Sequence, residues 1–296
     1  MGYIFLFLSK LAGIGKMIAM KKCGNIALGA ENSLRINLIR SLGCLVISLV
    51  VSLAIGFEGM SGTGLLISVV CGIANALLLF SWVLAAERAS LCTVEVFCMA
   101  GGVIMPMIIT PLFIESESIG IPAWIGALLL LPATVLLFPQ GSTGRFSFSS
   151  LPMLLLAGTA NAGCIISQKL YTAYECGTAA DLSTVSFAVC IPVLATIYFA
   201  LKFLKKNEQK HDKNKITAKP QIIVYIIIAI IMLYSAQYLQ TLASGILISG
   251  ILFPLSYAMA MPLTLLTDVI IFREKIRIRG VVGIILAVAS AVLCNI

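Results

Sequence analysis

The residues able to do chemistry in this chain are hydroxyls, amides and a few charges set inside long apolar runs. The clearest group is the stretch Leu233–Leu242, LYSAQYLQTL, where Tyr234, Gln237, Tyr238 and Thr241 stand at i, i+3, i+4 and i+7. That spacing puts all four on one helical face. Ile227 and Ile230 continue the face, so its polarity is confined to the later half of the segment. Comparable stripes are Asn161, Cys164, Gln168 and Thr172; Tyr257, Met261, Thr264 and Asp268; and Glu95, Cys98, Gly102 and Pro106. Asn75 and Trp82 share a face of another segment. Amides and phenols placed this way suit hydrogen bonding and aromatic contact with a small solute, and equally suit adhesion between helices. The stripe Asn37, Ser41, Cys44, Ser48 and Ser52 reads as packing. The tyrosine pair reads as wall, because bulky amphipathic rings hinder close helix contact.

Charge is scarce in these runs, which makes each instance informative. Lys10 and Lys16 lie within the first of them, and a lysine at the bilayer centre costs about 2.5–3.5 kcal/mol. Lys10 has two readings, snorkelling to the near interface or function. Glu95 either pairs with Lys16, titrates during proton exchange, or is an ordinary first-turn carboxylate behind a Ser90 cap. Asp268 divides in the same way between proton coupling and a place near the interface beside Arg273. Glu117 and Glu274 read as fixing helix turns.

Other chemistries find little support. The one histidine, His211, stands among lysines in a polar loop, and no H-E-x-x-H or intramembrane carboxylate pair occurs, so an enzyme is not expected. The nine cysteines form no C-x-x-C pair and read as small buried hydrophobes, neither disulfides nor metal ligands. No cofactor or metal is expected. No G-x-x-x-x-G-K-[ST] is present, so ATP would not be hydrolysed by this chain. The net charge of +8 comes from short loops and points to no nucleic acid.

The elements that must position these side chains are set by composition. Of 296 residues, 60% are hydrophobic and 11% charged, against about 25% charged in a soluble domain. Such a chain is an integral membrane protein. Ten runs are long enough to span as helices: 2–22, 34–56, 62–86, 91–114, 120–138, 151–171, 182–204, 220–241, 244–271 and 277–295. Continuous runs exclude the short alternating segments of a barrel. Lys and Arg crowd one set of loops, including KFLKKNEQKHDKNKITAKP, while the set holding both termini has essentially Lys169 alone. Positive loops face the cytoplasm, which puts both termini outside.

The chain also repeats itself. Glu117, Ile119, Ile121 and Gly126 match Glu274, Ile276, Ile278 and Gly283 without a gap. Gly15, Lys21 and Leu34 match Gly163, Lys169 and Leu182 under a second register, which sets Lys16 level with Cys164 on the Asn161/Gln168 face. Pro106 matches Pro262 under a third, which sets Trp82 level with Tyr238. Five helices per half is an odd number, so the second half enters the membrane upside down, as in many secondary transporters. The expected organisation is all-α, ten transmembrane helices as two inverted five-helix repeats, 1–140 and 151–296, joined by a linker at 141–150.

An acidic residue closing one helix and a glycine opening the next, at the end of each half, together with ten segments and Arg40 near the start of the second, resembles the drug/metabolite transporter superfamily, EamA type. That resemblance implies a gradient-coupled secondary transporter of a small organic metabolite or drug-like solute, in the cell membrane, with both termini in the cytoplasm, opposite to the charge rule. The residues that would line its cavity are Lys16, Asn75, Trp82, Glu95, Asn161, Gln168, Tyr234, Gln237, Tyr238 and Tyr257, with Glu95 and Asp268 able to exchange protons. Expected partners are a small-molecule substrate, the lipid bilayer, protons if those carboxylates titrate, and a second copy of the chain as a homodimer. The alternatives are a flippase for a lipid or lipid-linked substrate and, less well supported, a membrane-embedded enzyme. An apolar lateral opening favours lipid; a closed polar pocket favours a solute.

Overall fold

The structure, a computed structural model, describes residues 1–24, 30–56, 59–88, 91–115, 117, 119–137, 150–205, 220–271 and 278–294. Among the described residues the chain forms ten α-helices and no strand: α1 (Gly2–Gly24), α2 (Ala30–Ile55), α3 (Gly62–Arg88), α4 (Leu91–Phe113), α5 (Ile121–Leu137), α6 (Leu151–Ala173), α7 (Ala179–Lys205), α8 (Pro220–Ile246), α9 (Ser249–Ile270) and α10 (Ile278–Leu293). Apolar runs become helices because in hydrocarbon a backbone segment satisfies its N–H and C=O groups within itself. Eight of the ten are long and apolar enough to cross a bilayer, which makes this a multi-pass membrane protein. Over the described residues α5 and α10 have 17 and 16 residues, about 25 Å at 1.5 Å per residue, against roughly 30 Å of hydrocarbon. The expected linker 141–150, except Ser150, lies outside the described residues, as do Glu274 and the side chains of Glu95 and Asp268.

Helices pair across the chain more than with their sequence neighbours. α1 lies along α8, α3 along α6, α2 along α7 and α5 along α10, and α4 also packs on α6. Individual contacts fix their directions. Ser9 Oγ donates to the Ala236 carbonyl at 2.8 Å while Gly15 rests against Met232, so α1 and α8 are antiparallel. Ser41 meets Cys190 and Ser52 meets Asp181, which makes α2 and α7 antiparallel. Gly126 lies against the Ser290 carbonyl and Ala123 accepts from Cys294 Sγ, so α5 and α10 are antiparallel too. The largest sealed core gathers Leu6, Met107, Leu130, Phe253 and Ala287 from α1, α4, α5, α9 and α10. Seven cysteines are buried free thiols within such contacts.

Two of the helix boundaries that depart from hydropathy do so for a visible polar reason. α7 starts at Ala179, ahead of the expected 182, because Thr178 and Asp181 form a reciprocal cap. Thr178 Oγ1 accepts from Asp181 N–H at 3.2 Å and Asp181 Oδ2 accepts from Thr178 N–H at 3.2 Å. Ser52 of α2 donates to the other Asp181 oxygen. The break between α8 and α9 falls at Leu247–Ile248 where hydropathy places it at 241–244. Side chains from elsewhere put it there. Lys169 Nζ of α6 donates to the carbonyls of Ser244 at 3.0 Å and Leu247 at 2.8 Å, covering the orphan end of α8. Glu117 Oε2, from the α4–α5 turn, accepts from Ser249 N–H at 3.2 Å and so caps α9. Its other oxygen lies 2.7 Å from Lys169 Nζ, and both side chains are 7% exposed. Lys169 is therefore an internal clamp and not a loop cation, which leaves the terminal side poorer still in exposed positive charge.

Removing one partner of a buried ion pair costs about 3–5 kcal/mol, because the other charge stays buried alone. Lys169→Met is expected to lower the melting temperature of the purified protein by several degrees. Adding Glu117→Leu should recover part of that loss, as thermal unfolding in detergent would record.

Candidate functional site

Polar side chains from four helices and a backbone carbonyl of a fifth meet near mid-depth. Lys10 is eight residues into α1 and Tyr257 eight into α9, about 12 Å at 1.5 Å per residue, and Asn161 is ten into α6, about 15 Å. Half the hydrocarbon thickness is about 15 Å, so these groups stand close to the bilayer centre. Asn161 spends its amide hydrogens on two helices, donating to the Cys98 carbonyl of α4 at 2.7 Å and to Tyr257 Oη of α9 at 2.6 Å. Lys10 Nζ lies 6.0 Å from the centroid of the Tyr257 ring, within cation–π range. The same ammonium donates to Gln240 Oε1 of α8 at 3.0 Å. One continuous path of hydrogen bonds and ring contact thus joins α4, α6, α9, α1 and α8. All four side chains are half-buried, so none is sealed in a core.

Glycines make that path fit. A Cβ on Gly101 would stand 2.1 Å from the Gly158 carbonyl oxygen, so α4 and α6 cross backbone to backbone. A Cβ on Gly102 would stand 2.3 Å from Tyr257 Oη and 2.4 Å from Asn161 Nδ2, so Gly102 leaves the room in which those groups meet. The first glycine serves the helix contact and the second the polar cluster. Pro106, one turn on, supplies no N–H to the Gly102 carbonyl, which leaves α4 open at this level.

The remaining expected site residues divide by position. Tyr234 is buried and stacks on half-buried Tyr238, centroids 5.8 Å apart, against Cys44, Phe187 and Leu233. The two rings therefore face α2 and α7. Tyr234 Oη has no hydrogen-bond partner among the described residues. Gln168 is buried on α6; its backbone carbonyl accepts from the Thr172 and Ser244 hydroxyls, and its side-chain oxygen has no partner among the described residues. Asn75 is buried on α3 and Gln237 half-buried on α8. Lys16 is half-buried and close enough to Lys10 and Cys44 to act on both electrostatically. Trp82 is exposed, at 36%. Of the expected set, Asn161 and Tyr257 are joined directly. Gln240 and Lys10 complete the path, Gln240 from outside the Tyr234 stripe and Lys10 with its ammonium held inward instead of led to the near interface. The position of Lys10, far from either end of its run, was the available signal; nothing local marks Gln240 as its acceptor.

A side chain at position 101 must push on backbone, and overpacking of this kind costs about 1–3 kcal/mol or more. One at 102 must displace only the ends of Tyr257 and Asn161. Gly101→Ala is therefore expected to lower the melting temperature further than Gly102→Ala in a side-by-side thermal unfolding experiment.

No protein-family model and no curated protein matches the chain. Among solved structures, one titled "Crystal structure of protein" is similar to it with a TM-score of 0.71 at 16% identity, covering 100% of this chain and 98% of that one. The likeness is one of fold and extends over the full length of both.

Proposed function

We propose that this chain is a secondary-active transporter that moves a small organic metabolite or drug-like solute by alternating access around the Lys10–Tyr257–Asn161 cluster. The observation that carries the reading is that cluster itself: half-buried polar side chains from four helices, with a backbone carbonyl of α4, converging where a polar group facing lipid would be costly. A ten-span arrangement of two inverted five-helix repeats, 1–140 and 151–296, is the framework we assign to it, in the manner of the EamA-type drug/metabolite transporters that the sequence resembles. The pairing of helices supports this. α1 on α8 corresponds to α6 on α3, and the equivalent helices α2 and α7 run antiparallel, as do α5 and α10, which is what inversion requires. The matched glycines each rest on the partner helix of the other half, Gly15 against Met232 of α8 and Gly163 against Ala74 of α3. In this reading the protein sits in the cell membrane with its basic loops in the cytoplasm, and Glu95 or Asp268 supplies proton coupling.

A second reading has its own observation. Val70, Ile73, Leu77, Leu156 and Ala160 line an apolar groove of about 340 Å³ between α3 and α6. That groove suits an acyl chain and supports a flippase for a lipid or lipid-linked substrate.

Reconstitution in liposomes separates the two. A solute transporter gives saturable uptake of at least one member of a broad metabolite panel, altered by an imposed pH gradient, and Asn161→Leu reduces it at least tenfold at equal reconstitution. Redistribution of fluorescent phospholipid between leaflets, with no solute flux, would replace this reading with the flippase.

A further inference from the structure

Two crossings between the halves that correspond under the proposed repeat are built differently. The register that pairs Gly15 with Gly163 pairs Lys10 with Gly158, and the register that pairs Pro106 with Pro262 pairs Tyr257 with Gly101. Where α4 meets α6, Gly101 and Gly158 bring the backbones together. At the corresponding crossing of α9 and α1, an ammonium stands 6.0 Å from the centroid of a phenol ring. One crossing is closed by two residues without side chains, and its counterpart is propped apart by a cation and an aromatic ring.

We propose that the space propped open by Lys10 and Tyr257 receives the anionic group, carboxylate or phosphate, of an organic solute, with Lys10 as its anchor. The inference rests on the transport reading only for the steps after binding. An ammonium has three N–H donors. One goes to Gln240 and the charge is partly met by the Tyr257 ring, both neutral, so the cation keeps donors for a ligand and no carboxylate neutralises it among the described residues. Lys16 adds a second positive charge felt at Lys10. The described carboxylates stand elsewhere, at helix ends and turns. Glu31 begins α2, Glu115 and Glu175 are in turns, Glu117 is consumed by Lys169, and Asp181 by Thr178 and Ser52. Among the described residues the charged side chains at the cluster, Lys10 and Lys16, are both basic, a setting that favours an anion over an amine. The face of Tyr257, the natural seat for a cationic ligand, is already occupied by Lys10. Charge-assisted hydrogen bonds from an ammonium to a carboxylate or phosphate are short and strong, and Asn161 and Gln240 are placed to take the polar remainder of the solute.

The test uses four probes of one shape, benzoate, phenyl phosphate, benzylamine and benzyl alcohol, against the full chain in detergent at constant ionic strength. Thermal stabilisation by benzoate or phenyl phosphate and not by the amine or alcohol is expected, and which acid acts distinguishes carboxylate from phosphate. Lys10→Met should raise the half-stabilising concentration at least tenfold, whereas Lys10→Arg should keep most of the response. Gln240→Leu, which leaves the charge in place, serves if Lys10→Met does not fold, and should weaken binding while preserving the preference for acids. Stabilisation by benzylamine equal to that by benzoate, no response to either acid, or an undiminished response in Lys10→Met would overturn the assignment. Acid binding without acid flux into liposomes would leave the anchor standing and remove the transport reading. Saturable amine flux with no effect of acids would do the reverse.

Discussion

A polar group inside a bilayer has no water to turn to, so its partner must come from the protein. Helix interiors meet that requirement alone, but helix ends, charges and amides do not. The structure meets it with side chains carried by distant segments. The orphan carbonyls of α8 are taken by Lys169 of α6, and the first N–H of α9 by Glu117 of the α4–α5 turn. Those two charges also pair with each other, so one contact joins four segments and sets where two helices meet. An ion pair with both members hydrogen-bonded to backbone is the circumstance in which burial of charge is tolerable.

The central cluster obeys the same rule with a different outcome. Its groups also find partners, Asn161 on two helices and Lys10 on Gln240, but they remain half-buried and no carboxylate closes the set among the described residues. At the clamp the cation is neutralised and fixed. At the cluster a cation is held in position by neutral groups and keeps donors in reserve. The two lysines differ in what completes their coordination: Lys169 by a carboxylate and two carbonyls, Lys10 by an amide oxygen and a phenol ring.

How much of this was legible from residues alone depends on the range of each interaction. Helix existence depends on a run's own hydrocarbon content, so ten helices stand where ten apolar runs lie. Boundaries set locally, such as the Thr178–Asp181 cap, were within reach of a motif search; the α8–α9 break was not, because the residues that impose it are far away in sequence. Face periodicity put Asn161 and Tyr257 on polar stripes, and both reach the cluster. The strongest stripe, Tyr234 with Tyr238, turns its rings toward α2 and α7. Periodicity identifies which side chains share a face but not which neighbour that face meets. Gln240 shows the converse: it lies outside the stripe, yet the helix that packs on its own face brings Lys10 to it.

Under the two-repeat framework proposed above, near-symmetry carries its information in the exceptions. If the two crossings, α4 with α6 and α9 with α1, were both glycine to glycine, the centre of the molecule would close with nothing to hold a solute. If both carried a lysine and a tyrosine, four bulky groups and two like charges would have to share that depth, at a cost set by Coulomb repulsion in a medium of low dielectric. One closed crossing and one propped open avoid both outcomes. Gly102 then lets the closed side approach near enough for Asn161 to reach across to Tyr257, so the rigid crossing positions the ring on which the cation rests. Each crossing takes one helix from each half, so the asymmetry lies between the two crossings: α4 with α6 is the rigid contact, and α1 with α9 is where the lysine and the phenol ring stand.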